Sequence, residues 1–275
     1  MSMVRALASE FQKVFTTRMW WLLAILLVAY VAFLAGGLGA FLGWASENPD
    51  AAADAGNTTI PPGEFLAPLI YSFASSVGYV FPVLLGALAV TGEFRHKTLT
   101  PTFLAEPNRS LVLGAKFGSH LVLGAGLGVI AFLTSVGTGA AALAIFGLGT
   151  GLDSSDTWAL IARGILAMAL WAGIGVGLGS LVPNQVATIV IVIAFTQFVE
   201  PVLRLAASLN SVTANIGQFL PGAASDALVG ASFYSLASAG SAQALEWWQG
   251  GLVLLAIAVV ATVIGGATTW RRDVS

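Results

Sequence analysis

The apolar positions of this chain fall into six long blocks, near residues 19–43, 65–91, 117–147, 158–182, 186–206 and 247–270, with short polar stretches between them. A membrane-crossing helix needs about 20 mostly apolar residues, and each block reaches that length. None shows the strict apolar–polar alternation of a barrel strand, and several are dense in glycine, so the blocks predict helices. The expected fold is all-α: a polytopic membrane protein with six transmembrane helices forming a single domain over residues 1–275.

Ahead of the first block, Val4, Leu7, Ala8, Phe11, Val14 and Phe15 recur at steps of three and four, with Arg5, Glu10, Gln12 and Lys13 in the gaps. That period predicts an amphipathic helix over residues 1–18 lying in the headgroup plane. A cleaved signal peptide would need a shorter charged region and an apolar core about half as long. The stretch 44–64 is rich in Asn, Asp, Pro and Gly and reads as an exposed connection. Its Asn57-Thr58-Thr59 fits a glycosylation pattern short enough to arise by chance. The loop 207–246 places Phe219-Leu220-Pro221-Gly222 between two moderately apolar pieces. A loop of that length predicts short helices that re-enter the membrane or rest on its outer face.

Composition agrees with the pattern: 57% of the 275 residues are hydrophobic and 9% charged, and the mean hydropathy is +0.89. These values mark an integral membrane protein. The net charge of -2 argues against nucleic acid as a partner. The absence of cysteine excludes disulfides, thiolate catalysis and cysteine-ligated metal. Two histidines, His96 and His120, without paired His–carboxylate spacing, offer little from which to build a metal site.

Orientation follows from lysine and arginine, which are retained on the cytoplasmic side. Arg5, Lys13 and Arg18 precede the first block, Arg95, Lys97, Arg109 and Lys116 lie between the second and third, and Arg271 and Arg272 follow the sixth. Both termini are therefore expected in the cytoplasm. Trp20, Trp21 and Trp270 would mark the inner interface, and Trp44, Trp158, Trp247 and Trp248 the outer one.

The densest charge cluster, TGEFRHKTLTPTFLAEPNRSLVLGAK over Thr91 to Lys116, is then the one sizeable cytoplasmic loop. Thr98 to Leu104 predicts a short surface helix with Pro101 in its first turn, and Glu106-Pro107-Asn108-Arg109 a turn. The order Glu93, Thr98, Phe103-Leu104, Pro107, Arg109 and Lys116 resembles the permeases of ABC-2 type transporters. In these an acidic residue after the second span is followed by a threonine, an apolar pair, a proline and a basic residue. Many of them have glycine just before the threonine, where this chain has Lys97. The resemblance extends to the N-terminal helix, the six spans, the connection Val182-Pro183-Asn184-Gln185 and the long last outer loop.

That resemblance implies a transport subunit, not an enzyme, in a multi-pass cell membrane, the cytoplasmic membrane of a bacterium. Loop 92–116 would hold a coupling helix that docks on a separate ATP-hydrolysing subunit through Glu93, Arg95, Thr98, Phe103, Leu104 and Arg109. ATP and magnesium would belong to that partner, and a second permease copy, identical or related, would complete the assembly. The chain itself lacks a phosphate loop: Gly114-Ala115-Lys116-Phe117 has the wrong spacing and no hydroxyl after the lysine. A gradient-driven secondary transporter is the alternative, needing titratable groups near the midplane and often paired repeats. No repeat of three plus three spans is evident, and no G-x-S-x-G segment supports an intramembrane enzyme.

Ionisable residues inside the spans are functional candidates because each costs about 2.5–3.5 kcal/mol to insert. They are His120, Arg163, Glu200 and Arg204. Glu200 and Arg204 share a helical face in the favoured acid-first order, with Pro201 loosening the backbone between them. They are expected to pair near the outer end of the fifth span, as a gate or substrate contact or as an ion pair joining outer helices. With Thr196 and Gln197 as the other polar groups of an otherwise β-branched, apolar span, they outline a path suited to amphiphilic or lipid-like cargo. Arg163 is expected to reach outward toward Asp153 or Asp156. The runs Gly124, Gly126, Gly128 and Gly173, Gly175, Gly177, Gly179 allow close helix approach, within the chain or between subunits.

Overall fold

A computed structural model describes residues 2–54, 61, 63–207, 211–231 and 245–270. Every described element is a helix, and six helical segments are long and apolar enough to cross a membrane. The chain is thus a multi-pass all-α membrane protein. Its helices are α1 Met3–Thr16, α2 Met19–Glu47, α3 Pro49–Asp54, α4 Gly63–Ser76, α5 Val80–Arg95, α6 Leu99–Ala105 and α7 Arg109–Ile145. They continue with α8 Ser155–Leu181, α9 Gln185–Ala194, α10 Glu200–Ala207, α11 Ser211–Gly217, α12 Pro221–Val229 and α13 Trp247–Thr268.

Two spans are interrupted. The second, expected as one helix over 65–91, is broken into α4 and α5 at Val77-Gly78-Tyr79. Pro82 has no N–H to give the carbonyl of Gly78, which accepts instead from Phe81 N at 3.1 Å in a tighter turn. A side chain at position 78 would strike the carbonyl of Ala74. In the fifth span a π-turn, Phe195–Val199, separates α9 from α10 immediately before Pro201. There too the missing proline N–H frees a carbonyl of the preceding turn, which a π-bulge accommodates. The 44–64 stretch is less of a loop than expected, because α2 runs on to Glu47 and α3 follows. Asn57-Thr58-Thr59 lies outside the described residues.

The buried stripe of α2 is Leu23, Leu27, Val31, Ala35 and Gly39, at steps of four, while Leu22, Ile25, Leu26 and Phe33 point outward. A bundle whose large apolar side chains face out as well as in is solvated by hydrocarbon. The most enclosed span is α8, which packs against α5, α7 and α13. Its glycines explain how. A Cβ on Gly175 would lie 2.1 Å from the carbonyl oxygen of Val83, and one on Gly177 or Gly179 would meet α13 or α5 within 2.7 Å. A Cβ on Gly124 or Gly128 of α7 would meet α8 at 2.5 or 3.0 Å, whereas Gly126 faces open space. Of the two uses left open for these glycines, this fold employs close packing inside the chain.

Candidate functional sites

Contacts between elements distant in sequence define two ends of the bundle. At one end lie the start of α7, the C-terminal ends of α5, α8 and α13, and α1. The expected surface helix forms as α6, one residue later than 98–104. Its inner face is fixed: Leu99 is fully buried in a cluster with Val90, Val112, Leu113, Val176 and Trp270. The Trp270 ring takes Phe94 and Phe103 edge-on, at 5.8 and 5.6 Å between centroids. Arg109 lies 4.7 Å over the Phe103 ring and donates to the Trp270 carbonyl at 3.0 Å. The Trp270 indole N–H returns a bond to the Arg109 carbonyl. Trp270 is therefore a buried clamp and not the interfacial ring expected from its position, because Phe94, Phe103 and Arg109, from three elements, enclose it.

The opposite face of α6 is open. Leu104 is 81% exposed, and Arg95, Lys97 and Thr98, ahead of the helix, are exposed too. Arg95 reaches Gln185 at the α8–α9 turn, 3.1 Å away. Between them runs a groove of about 360 Å³ lined by Phe94, Arg95 and Pro183 to Val186. The turn into α6 passes through Lys97 at φ 56°, where the amide N–H of Thr98 closes back on the carbonyl of Glu93. Lys97 thus holds the left-handed conformation that glycine adopts without strain. Asn108 caps α7, its side-chain oxygen accepting from Leu111 N.

Glu93 points the other way, into the bundle. Its Oε1 meets Lys13 at 2.8 Å and Lys116 at 3.2 Å, and Lys116 and Lys13 also grip Glu10. This four-charge cluster joins α1, α5 and α7, with Lys116 only 1% exposed. Burial works against charge on Glu10, but Lys116 and Lys13 outweigh it and hold its carboxyl below the usual carboxylate range. Burial likewise opposes Lys13, yet Glu93 and Glu10 raise its ammonium above the ordinary lysine value. One turn further along α7, His120 is fully buried and its Nδ1–H donates to the Lys116 carbonyl at 2.8 Å. Sequence reasoning missed the role of Glu10 and Lys116. The available signal was a glutamate at a step of four between Ala6 and Val14 of α1 and a lysine immediately before the third apolar block.

At the other end the expected Glu200–Arg204 pair forms and gains a third member. Arg204 Nε lies 3.2 Å from Glu200 Oε1, and its Nη1 lies 2.6 Å from Asp226 Oδ2 on α12. Gly222 N also donates to Glu200 Oε1, an approach that any side chain at position 222 would block. Tyr79, at the break in the second span, stacks on Trp171 at 4.4 Å and donates its hydroxyl to the Thr196 carbonyl in the π-turn. Trp171 in turn donates to Ser225 on α12. The two backbone irregularities and α12 therefore enclose a polar cavity of about 300 Å³, and Thr196, Gln197, Glu200 and Arg204 all line it. Irregular backbone within a span is tolerated where it lines such a cavity. Short helices do occupy the described part of 207–246, as α11 and α12. Arg163 does not reach Asp153 or Asp156; its guanidinium lies 4.9 Å over the ring of Trp247, whose π-face at the start of α13 satisfies the cation.

Compared with known proteins, the chain matches no family model and no curated sequence.

Proposed function

We propose that this chain is the permease subunit of an ATP-driven exporter of the ABC-2 type. The observation that carries the reading is the posture of α6. Its inner face is locked by Leu99, Phe103 and Trp270, while Leu104 stands 81% exposed near its C-terminal end and Arg95, Lys97 and Thr98 are exposed ahead of its N-terminal end. An apolar side chain held out by a rigid, cation-rimmed base suits insertion into a partner, because little rotational freedom is left to lose on docking. The same end gathers Lys13, Arg95, Lys97, Arg109 and Lys116, and retention of positive charge makes it the cytoplasmic end. Both termini then lie inside, with α1 resting in the inner interface.

The partner is an ATP-hydrolysing subunit that carries ATP and magnesium, paired beneath two permease copies. Closure of the ATPase pair must favour one position of α6 over another, since a contact of equal strength in both states moves nothing. Glu93 takes the role of a tie: through Lys13 and Lys116 it links the base of α6 to α1 and α7. Arg109 does so through Phe103 and Trp270. The cavity at Thr196, Gln197, Glu200 and Arg204 forms part of the path for amphiphilic or lipid-like cargo. The gradient-driven alternative draws on one observation, the buried Glu200 in that cavity, and would run without ATP.

The deciding experiment purifies the tagged chain from native membranes and asks whether a polypeptide bearing a phosphate loop accompanies it. The test variant is Leu104→Asp, because Leu104 is exposed and its change leaves the bundle intact. Co-purification lost in Leu104→Asp is the expected result. A wild-type chain that purifies alone, or a variant that retains its ATPase in full, would overturn the coupling assignment.

A further inference from the structure

We infer that the cavity between the two broken spans is a binding site for an alkylammonium cation. Among the described residues that line it, two are carboxylates, Glu200 and Asp226, and one is a cation, Arg204. Glu200 is only 2% exposed. Its Oε1 serves Arg204 and Gly222, which completes the clasp between α10 and α12. Its Oε2 has no hydrogen-bond partner among the described residues, and neither does the shielded hydroxyl of Ser76. Both residues line the same cavity. The clasp uses one oxygen of Glu200; the second, buried and without a donor, belongs to a residue that lines the cavity together with Ser76.

The remaining walls decide which donor. Phe73, Val77, Tyr79 and Pro201 give apolar surface between the polar groups of Ser75, Thr196, Gln197 and Ser225, and about 300 Å³ lies at the lower end of small-molecule sites, roughly 300–1,000 Å³. A bare metal ion wants a shell of several strong ligands, and among the described residues no group of three His, Cys, Asp or Glu side chains is placed to hold one. A primary ammonium on a short alkyl chain matches the set: its N–H groups donate to Glu200 Oε2 and Ser76 Oγ, and its carbons lie against the rings. Binding of the cation rests on this geometry alone; that the cation is cargo rests on the permease reading.

The test is calorimetric titration of n-butylammonium into the full chain in phosphatidylcholine nanodiscs, with n-butanol as the uncharged reference. Saturable binding of butylammonium and none of butanol is expected, with at least a tenfold loss of affinity in Glu200→Gln. Ser76→Ala, which breaks no hydrogen bond of the described structure, should lose severalfold with folding unaffected. Equal affinity for butanol, no saturable binding of butylammonium, or undiminished binding in both variants would overturn the site. Exchanging half the lipid for phosphatidylethanolamine separates sources of the same cation. Competition marks a lipid headgroup as occupant, and unchanged affinity marks a free amine. No ATPase is present, so failure here leaves the coupling assignment standing, and loss of co-purification leaves this site standing.

Discussion

Lys116→Met should be among the most destabilising single changes outside the apolar core. The ammonium is 1% exposed and faces two carboxylates, Glu10 and Glu93, the latter at 3.2 Å. With an effective dielectric constant near 20, each contact is worth roughly 5 kcal/mol of gross attraction. Desolvation of the ions offsets several kcal/mol apiece, so the intact cluster contributes far less than that sum. Removing one partner is another matter, because Glu10 and Glu93 are then left with Lys13 alone in a buried site. Loss of one member of a buried pair costs about 3–5 kcal/mol. Glu93→Gln, leaving Glu10 between two lysines of which Lys13 is 41% exposed, should cost less, about 1–3 kcal/mol. The double variant restores neutrality as a Glu10–Lys13 pair, so its cost should fall short of the sum by about 1–3 kcal/mol. Equilibrium unfolding in mixed micelles, titrated with dodecyl sulfate and followed by tryptophan fluorescence, measures all four corners. An additive cycle, or a Lys116→Met cost below about 1 kcal/mol, would refute the view that these charges are buried and coupled.

The same cluster sets a pH window for α1. The depressed Glu10 contributes stability that is present above 4.5 and lost as pH falls through its folded value, while the raised Lys13 contributes stability present below 10.5 and lost at higher pH. Spin labels at Ala8→Cys and Leu104→Cys, in a chain with no native cysteine, should keep one separation between those limits and a second, broader one in acid; a distribution unchanged to about pH 2 would contradict this. Lys97→Gly should raise stability by about 0.5–1 kcal/mol in the same unfolding assay by relieving the left-handed backbone, and a loss there would show that the lysine side chain matters more than its φ of 56°. Gly175→Ala should destabilise by about 1–3 kcal/mol, because its methyl meets backbone atoms of α5, whereas Gly37→Ala, with nothing within 4 Å, should be neutral or slightly stabilising; equal effects would mean that α8 is not packed as described.

The spans were legible because bilayer thickness imposes a length that a run of apolar residues displays directly. The α6 helix and the Glu200–Arg204 pair were legible because both are local: a short segment with proline in its first turn, and two residues four apart on one face. The breaks were written in Gly78, Pro82 and Pro201, but proline is common in membrane helices, and only packing decides whether it kinks a span or interrupts it. Asp226 reaches Arg204 and Gly222 reaches Glu200, each across 22 residues, and Glu10 reaches Lys116 across 106. Such pairings have no periodic signature, since each depends on which helices meet. For the same reason Arg163 was matched to nearby acids when an aromatic face from the last span lay closer in space.

One helix connects the two ends. The 16 residues of α5 extend about 24 Å, from Tyr79 at its N-cap beside the cavity to Glu93 and Arg95 beside α6. Along its length Gly86 approaches the Ala172 carbonyl, and Gly175 and Gly179 of α8 approach its own carbonyls, leaving no side-chain layer to absorb a displacement. Close-packed interiors shift between discrete arrangements more readily than they compress. Under the permease reading, a push on α6 therefore reaches Tyr79 as a movement of α5 along or about α8. The flexible points are the Val77–Tyr79 break and the Phe195–Val199 π-turn, where the hydrogen bond from Tyr79 to the Thr196 carbonyl spans the two. Tyr79→Phe, which removes that bond and keeps the ring on Trp171, should leave ATPase binding intact and weaken the response of transport to ATP. Transport coupled as in the wild type would mean that the signal bypasses this contact.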